Sequence, residues 1–255
     1  MNPLYSVLLY NQNIDIYRKQ IYEWLLDGIK VFWFGDQASV NLLKSDFIDF
    51  ADAYLLQVFD IGFTSDDEEV DYDFASEMGY TGLNDSSMLN GGQTVIDGVD
   101  DSGLIDKLEK ICPEFNAAQY RVEHCDKEEN ITVQASAGTG KTTVMVDRIM
   151  YLMHTVDNLH MSDIHMITFT NDATNQMNVR LQNVLMKRFQ LTGQKKYLRW
   201  LEEQSQMNIS TIHSFAYGML KEYGISQSFT KGLSINSLKY ERRELIKDTV
   251  DKKTD

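Results

Sequence analysis

The sequence predicts an α/β fold, a parallel sheet with flanking helices, preceded by a smaller N-terminal region that is α/β or helical. Three observations carry this. From about Ser102 onward, short β-branched runs alternate with longer amphipathic stretches, the pattern of strands joined by helical crossovers. A glycine-rich loop, Gln134 to Thr143, stands where one such run gives way to one such stretch. Residues 1–63 carry apolar runs of their own, and the segment that follows them is acidic and weakly periodic.

In chain order, YSVLLY reads as a short strand. IDIYRKQIYEWLLDG places Ile14, Tyr17, Ile21, Trp24 and Leu25 at helical spacing, and Gly28 is expected to end that helix. KVFWFG reads as a second buried strand. SVNLLKSDFIDFADAYLLQVF reads as one or two helices, with Leu42, Phe47, Phe50, Tyr54 and Leu55 available to a core. No chemical motif falls in residues 1–63, so their aromatic side chains read as core. Residues 64–103 are rich in acids, Gly, Ser and Asn, and read as a linker or mobile segment. DDEEVDYD lacks the spaced ligands and turn glycine of a calcium loop, which leaves a solvated acidic stretch. The main domain spans residues 104–230. In it SGLIDKLEKI and FNAAQYRVEHC read as helices, the second opening at Asn116. NITVQAS reads as a strand, Ile131 to Ala135, running into the loop. KTTVMVDRIMYLMH is a helix with Val144, Ile149 and Leu152 on its apolar side. HMITFT is a second buried strand, and NDATNQMNVRLQNVLMKRF a long helix with Met177, Leu181, Val184 and Leu185 along one face. NISTIHSF reads as a third short strand, leading into the helix AYGMLKEYG.

Composition bounds the function. The chain has 255 residues, 43% of them hydrophobic, enough for one large or two small domains with a packed core. Its two cysteines, Cys112 and Cys125, sit in no metal-ligand spacing and read as ordinary thiols. The N-terminus lacks the basic region and cleavage site of a signal peptide, and no apolar run approaches the roughly 20 residues that span a bilayer. The expectation is a cytoplasmic protein without a membrane partner. The net charge of −14 is uneven. Residues 1–114 hold 22 acidic and 6 basic residues, whereas residues 115–255 hold 16 and 18. The first part is excluded as a general polyanion binder; the second is not. The acidic N-terminal region could instead engage a protein partner or compete for a nucleic-acid surface.

The loop carries the chemistry. A general phosphate loop has Gly, four residues, then Gly-Lys-Ser/Thr, and here the first position is Ala135. A small residue suffices there if the chain keeps β geometry. Backbone N–H groups of Ala137 to Thr142 would cradle a β-phosphate, aided by the positive end of the following helix. Gly138 and Gly140 free the backbone where a Cβ would collide with phosphate or force a strained φ. Lys141 would reach the β- and γ-phosphates, and the Thr142 hydroxyl would coordinate Mg²⁺. Lys141 and Thr142 are therefore the candidate catalytic residues. Ala135, Ser136, Ala137, Gly138, Thr139, Gly140, Lys141, Thr142 and Thr143 form the candidate nucleotide loop.

The variant form A-x-x-G-x-G-K-T resembles the first motif of superfamily 1 DNA helicases of the UvrD/Rep type, and three further stretches agree with it in order. FNAAQ, Phe115 to Gln119, resembles the family's Q motif, where a glutamine amide can both donate to and accept from an adenine edge. ITFTNDATNQMNVRL, Ile167 to Leu181, resembles motif Ia, with Thr174 and Gln176 departing from the usual Ala and Glu. Those two positions are expected to face the sheet or a neighbouring helix. ISTIHSFAYGMLKEYG, Ile209 to Gly224, resembles the T-I-H-S-F motif. The resemblance implies ATP and Mg²⁺ as cofactors and single-stranded DNA as partner. Gln119 would read adenine. Phe169 would stack on a base, Thr170 and Asn171 would contact the strand backbone, and Thr211, His213, Ser214 and Phe215 would help hold it. Taken from the residues alone, Phe169 reads first as a core strand residue and His213 as a hydrogen-bonded turn residue. Lys187, Arg188, Lys195, Lys196 and Arg199 form either a phosphate-facing patch or the solvated end of a helix pair.

The resemblance also implies a P-loop, RecA-like sheet, an incomplete first motor domain, with residues 231–255 as the start of a helical subdomain or a tail. Hydrolysis needs an acidic pair at a further strand end, and no apolar run after Ser214 ends in Asp-Glu. The expectation is the N-terminal part of an ATP-dependent helicase that hydrolyses ATP slowly or not at all by itself. The alternative is a nucleotide-dependent regulatory module built on a degenerate helicase domain, with the acidic region as its working part.

Overall fold

The computed structural model describes residues 4–61 apart from Gln12, and 93–223 apart from Ala137. Most of the acidic segment, and everything expected of residues 231–255, lies outside the described residues. Two compact units share the chain: residues 1–165 with 176–208, and residues 166–175 with 209–255.

The first unit is built on a four-stranded mixed sheet. Its strands are β1 (Ser6–Tyr10), β2 (Lys30–Gly35), β3 (Leu56–Asp60) and β4 (Gln93–Ile96), in the order β3-β2-β1-β4. β1 and β3 run parallel to β2, and β4 runs antiparallel to β1. Helix α1 (Ile14–Leu26) connects β1 to β2, and α2 (Gln37–Asp46) and α3 (Ile48–Asp52) connect β2 to β3. The two-residue period of a strand sorts the side chains. Val7, Leu9, Val31 and Trp33 face a core with Tyr17, Ile21 and Leu25 of α1 and Val40 and Leu43 of α2. Leu8, Tyr10, Phe32 and Phe34 face a second core, built from helices later in the chain. Both faces are covered, which is why these strands read as continuous apolar runs rather than alternating ones.

Two strands escaped the sequence reading. LQVF is expected at the end of the preceding helical stretch, but Tyr54 adopts φ 56° and breaks the helix, so Leu56 begins β3. β4 falls inside the stretch expected to be a linker, where Val95 is buried against the sheet.

The second core is closed by α4 (Leu104–Ile111) and α5 (Ala117–His124), through Leu104, Ile105, Leu108, Phe115 and Tyr120. Helices α6 (Lys141–Thr155), α7 (Asn171–Thr192) and α8 (Lys195–Glu203) follow, with Met177, Leu181 and Leu185 buried along α7 as the spacing predicts. The expected strand Ile131–Ala135 forms no regular element and pairs with no described strand. Ile131 is 42% and Val133 52% exposed, so its β-branched side chains have no face to bury.

A buried charge cluster ties the sheet to these helices. Lys30 on β2 is fully enclosed and donates to both carboxylate oxygens of Glu123 on α5, at 2.8 and 2.9 Å, and to Asp147 Oδ2 on α6 at 3.3 Å. The Tyr5 hydroxyl donates to Glu123 Oε1 at 2.7 Å. Burial raises the Asp147 carboxyl and pushes the Tyr5 phenol well up, so Tyr5 stays a donor. Arg188 of α7 is also buried, its guanidinium 5.8 Å from the Tyr5 ring.

His124 lies beside this cluster. Its Nδ1 is 2.8 Å from the Tyr120 carbonyl, which can only accept, so Nδ1 carries the proton and Nε2 accepts from the Ser6 hydroxyl at 2.7 Å. Burial lowers its pKa to about 4. Below the unfolded value of about 6.5 the unfolded chain takes up a proton that the folded state refuses. Stability is therefore expected to fall by about 3 kcal/mol as pH drops from about 6.5 to 4. His154, also lowered by burial, adds in the same direction, and the raised Asp147 partly offsets it. Urea midpoints at pH 7 and pH 4.5 measure this, and equal midpoints would rule it out.

β5 (His165–Thr168) and β6 (Asn208–Thr211), all but His165 and Asn208 in the second unit, form a two-stranded sheet, and α9 (Ile212–Tyr223) follows β6 directly. The stretch Ile212–Phe215, expected as strand, is the first turn of that helix. No described helix is long and apolar enough to cross a membrane.

Candidate nucleotide and DNA-strand sites

Phe115 anchors the start of the candidate nucleotide site. It is buried edge-on against Phe34 and Phe59, with ring centroids 5.0 and 5.5 Å away. The Asn116 side chain accepts from Gln119 N at 2.9 Å and caps α5. An anchored ring followed by a capping amide thus sets where Gln119 emerges, one turn into the helix. The far end of α5 is held as well: Arg148 of α6 donates to the carbonyls of Glu123, Cys125 and Asp126. With the Lys30 cluster, this locks α5 against α6, the helix that the glycine loop opens.

Gln119 meets that loop. Its Nε2 donates to the Thr139 carbonyl at 2.8 Å. Gly138 and Gly140 take φ 80° and 79°, the left-handed region that a Cβ disfavours. At Gly138 a Cβ would meet nothing, so the backbone angle alone calls for glycine. At Gly140 a Cβ would also come within 3.0 Å of Gln119 Nε2. Gly140 caps α6, whose first residue is Lys141. Lys141 Nζ donates to the Ala135 carbonyl at 2.9 Å and to the Ser136 carbonyl, and Thr139 Oγ1 donates to the Ser136 carbonyl at 2.9 Å. The exposed Lys141 thus folds back over the loop, its ammonium group donating to loop carbonyls. Thr142 and Thr143 are half-buried in the first turn of α6. Ala137 lies outside the described residues.

Thr143 has a partner that sequence reasoning missed. Arg180 of α7 donates through Nη2 to Thr143 Oγ1 at 2.6 Å. The two are 37 residues apart, and nothing in the spacing of either motif points to the other.

The residues expected along the DNA strand lie in the second unit. Phe169 is 88% exposed, which rules out the core alternative. Thr170 Oγ1 accepts from Ala173 N at 3.1 Å and caps α7, leaving Asn171 exposed in the first turn. Thr174 packs toward the strand end as expected, its hydroxyl 2.7 Å from that of Thr168. Gln176 does not; it is exposed. Thr211 Oγ1 accepts from Ser214 N at 3.3 Å and lies 3.0 Å from Ser214 Oγ. His213 and Ser214 are exposed and Phe215 half-buried.

The basic residues between these motifs do not form one patch. Arg188 is buried, Lys187 Nζ donates to the Asp52 carbonyl at 3.3 Å, and Arg199 pairs with Glu203 at 3.7 Å. Burial, with Arg188 nearby, lowers Lys196 to about 8.

The model of the UvrD/REP helicase N-terminal domain matches residues 115–255, starting at the Phe115 that anchors α5. The chain belongs to this family. Its α/β architecture is consistent with a partial RecA-like helicase domain. Similar proteins include an ATP-dependent helicase/nuclease subunit from Lactobacillus acidophilus, 33% identical over 125 residues, 48% of this chain and 10% of the relative. The helicase/nuclease protein of the same description from Ligilactobacillus salivarius is 33% identical over 113 residues, 43% of this chain and 9% of the relative. That from Clostridium kluyveri is 38% identical over 94 residues, 36% of this chain and 8% of the relative. The chain thus spans about a tenth of the length of these relatives.

Proposed function

We propose that the chain supplies the adenine- and phosphate-binding half of the ATP site of a DNA helicase, with part of its single-strand track. The observation that carries this is the joined geometry of Gln119 and the loop: two left-handed glycines, a helix opening at Lys141, and a glutamine amide bonded to the loop backbone. In this reading Gln119 exchanges the Thr139 carbonyl for the adenine edge. The loop Ala135–Thr143 turns its N–H groups to the phosphates, and Lys141 leaves its carbonyls for the β- and γ-phosphates. Phe169 offers its face to a base, and Thr170, Asn171, Thr211, His213, Ser214 and Phe215 offer polar and aromatic contacts to the strand.

Magnesium bound with ATP would neutralise phosphate charge. Among the described residues no three His, Cys, Asp or Glu side chains converge as a metal site. The hydroxyl of Thr142 fits as the chain's own ligand, the remaining positions going to phosphate oxygens and water, as magnesium prefers. Residues 115–255 place no Asp-Glu pair after an apolar run to orient water.

Titrating the chain with a fluorescent ATP analogue and a labelled single-stranded oligonucleotide tests the reading. Both are expected to bind saturably, the oligonucleotide more weakly as salt rises, with ATP turnover near background. Absence of nucleotide binding would overturn the ATP site. Robust DNA-stimulated turnover would show that hydrolytic acids are present after all.

A further inference from the structure

We infer that Arg180 is a positioning residue of the nucleotide site, holding the Thr143 hydroxyl so that its proton is aimed at a nucleotide phosphate. This rests on the phosphate-loop reading above and deepens it.

A guanidinium has five N–H donors and no acceptor, whereas a hydroxyl has one proton and two lone pairs. The bond of 2.6 Å between Arg180 Nη2 and Thr143 Oγ1 can therefore run only one way, with Thr143 accepting. The threonine proton must go elsewhere. In a helix its ordinary acceptors are the carbonyls three and four residues back. For Thr143 these are Gly140 and Thr139. The Gly140 carbonyl already accepts from Thr143 N at 2.8 Å and Val144 N at 3.1 Å. The Thr139 carbonyl accepts from Gln119 Nε2. Among the described residues Thr143 Oγ1 donates to neither, nor to any other acceptor. The proton is left for a group brought to the first turn of α6, and the group this loop is built to bring is a phosphate.

Arg180 is placed to do this. Met177 and Leu181 beside it are buried, which fixes the rotation of α7. Asn178, two residues earlier, is held through its carbonyl and side chain by Gln204 Nε2, both at 3.2 Å. Among the described residues no carboxylate pairs with Arg180, so its charge is not spent on an acid and adds to the positive field at the loop.

The test is a double-mutant cycle in the full chain, read as affinity for a fluorescent ATP analogue. Arg180→Ala and Thr143→Val are each expected to weaken binding about five- to tenfold, the scale of one charge-assisted hydrogen bond. The double variant should bind no worse than Arg180→Ala. Thr143→Ser, which keeps the hydroxyl, should bind like the parent, and Arg180→Lys should fall between. Melting temperature is followed in parallel, because a merely structural role would move stability and spare the affinity of the folded protein. If Arg180→Ala does not fold, Thr143→Val against Thr143→Ser still decides. Parental affinity in Thr143→Val, or penalties that multiply in the double variant, would overturn the inference. Lys141→Ala separates the two levels. If it too binds like the parent, the phosphate-loop reading fails. If it loses binding while Thr143→Val keeps it, only the role of Arg180 fails.

Discussion

Lys30→Ala is expected to lower the unfolding free energy by about 3–5 kcal/mol, the cost of leaving buried charge without its partner. Lys30 is fully enclosed, and Glu123 is nearly so, with a side chain 6% exposed. The truncation leaves Glu123 with the Tyr5 hydroxyl as its remaining side-chain donor, and leaves Asp147 without Lys30. It also opens a space under β2 that neighbouring side chains only partly fill. Lys30→Met with Glu123→Leu should recover much of the loss, because removing both charges avoids the desolvation that removing one exposes. Urea unfolding at pH 7 measures all three. A Lys30→Ala midpoint within about 1 kcal/mol of the parent would mean that the cluster is far better solvated than its geometry states.

Lys141→Ala is expected to weaken ATP-analogue binding about 100-fold or more. Two charge-assisted hydrogen bonds to phosphate, at about 1.5–3 kcal/mol each, set that scale. The fold should survive, since Lys141 is exposed and its hydrogen bonds are to the Ala135 and Ser136 carbonyls of its own loop. The readout is a titration of both proteins under one salt condition, with melting temperature as control. Binding within threefold of the parent would take the loop out of the nucleotide site.

The loop was legible in the sequence because its chemistry is local. Left-handed glycines, a helix start and a lysine all fall within a few residues: Gly138 and Gly140 take positive φ, and α6 opens at Lys141. Gln119 was legible as a motif member, but not its bond to Thr139, because only the packing of Phe115 on Phe34 and Phe59 decides where the helix carrying Gln119 lies. Arg180 was invisible for a related reason: its partner comes from another helix, and a single arginine in a polar stretch has no period to betray it. β3 was lost because one left-handed residue, Tyr54, ends a helix without the glycine that usually announces such a break. The strand expected at Ile131–Ala135 was read from composition, which reports a preference for β geometry but not whether a neighbouring strand lies alongside.

The Lys30 cluster also orders events in time. Its acids stand 93 and 117 residues downstream of the lysine. A ribosome adding about 5–20 residues per second needs roughly 6–23 s to reach Asp147 once Lys30 has been added. Through that interval β2 carries an ammonium group with no counter-charge, at a position the finished sheet seals from water. The strand is expected to settle into its final place only once α5 and α6 are available to it. The β1–β2 region, which is made before the acids that pair with Lys30, is therefore expected to finish folding only after α6 has been made.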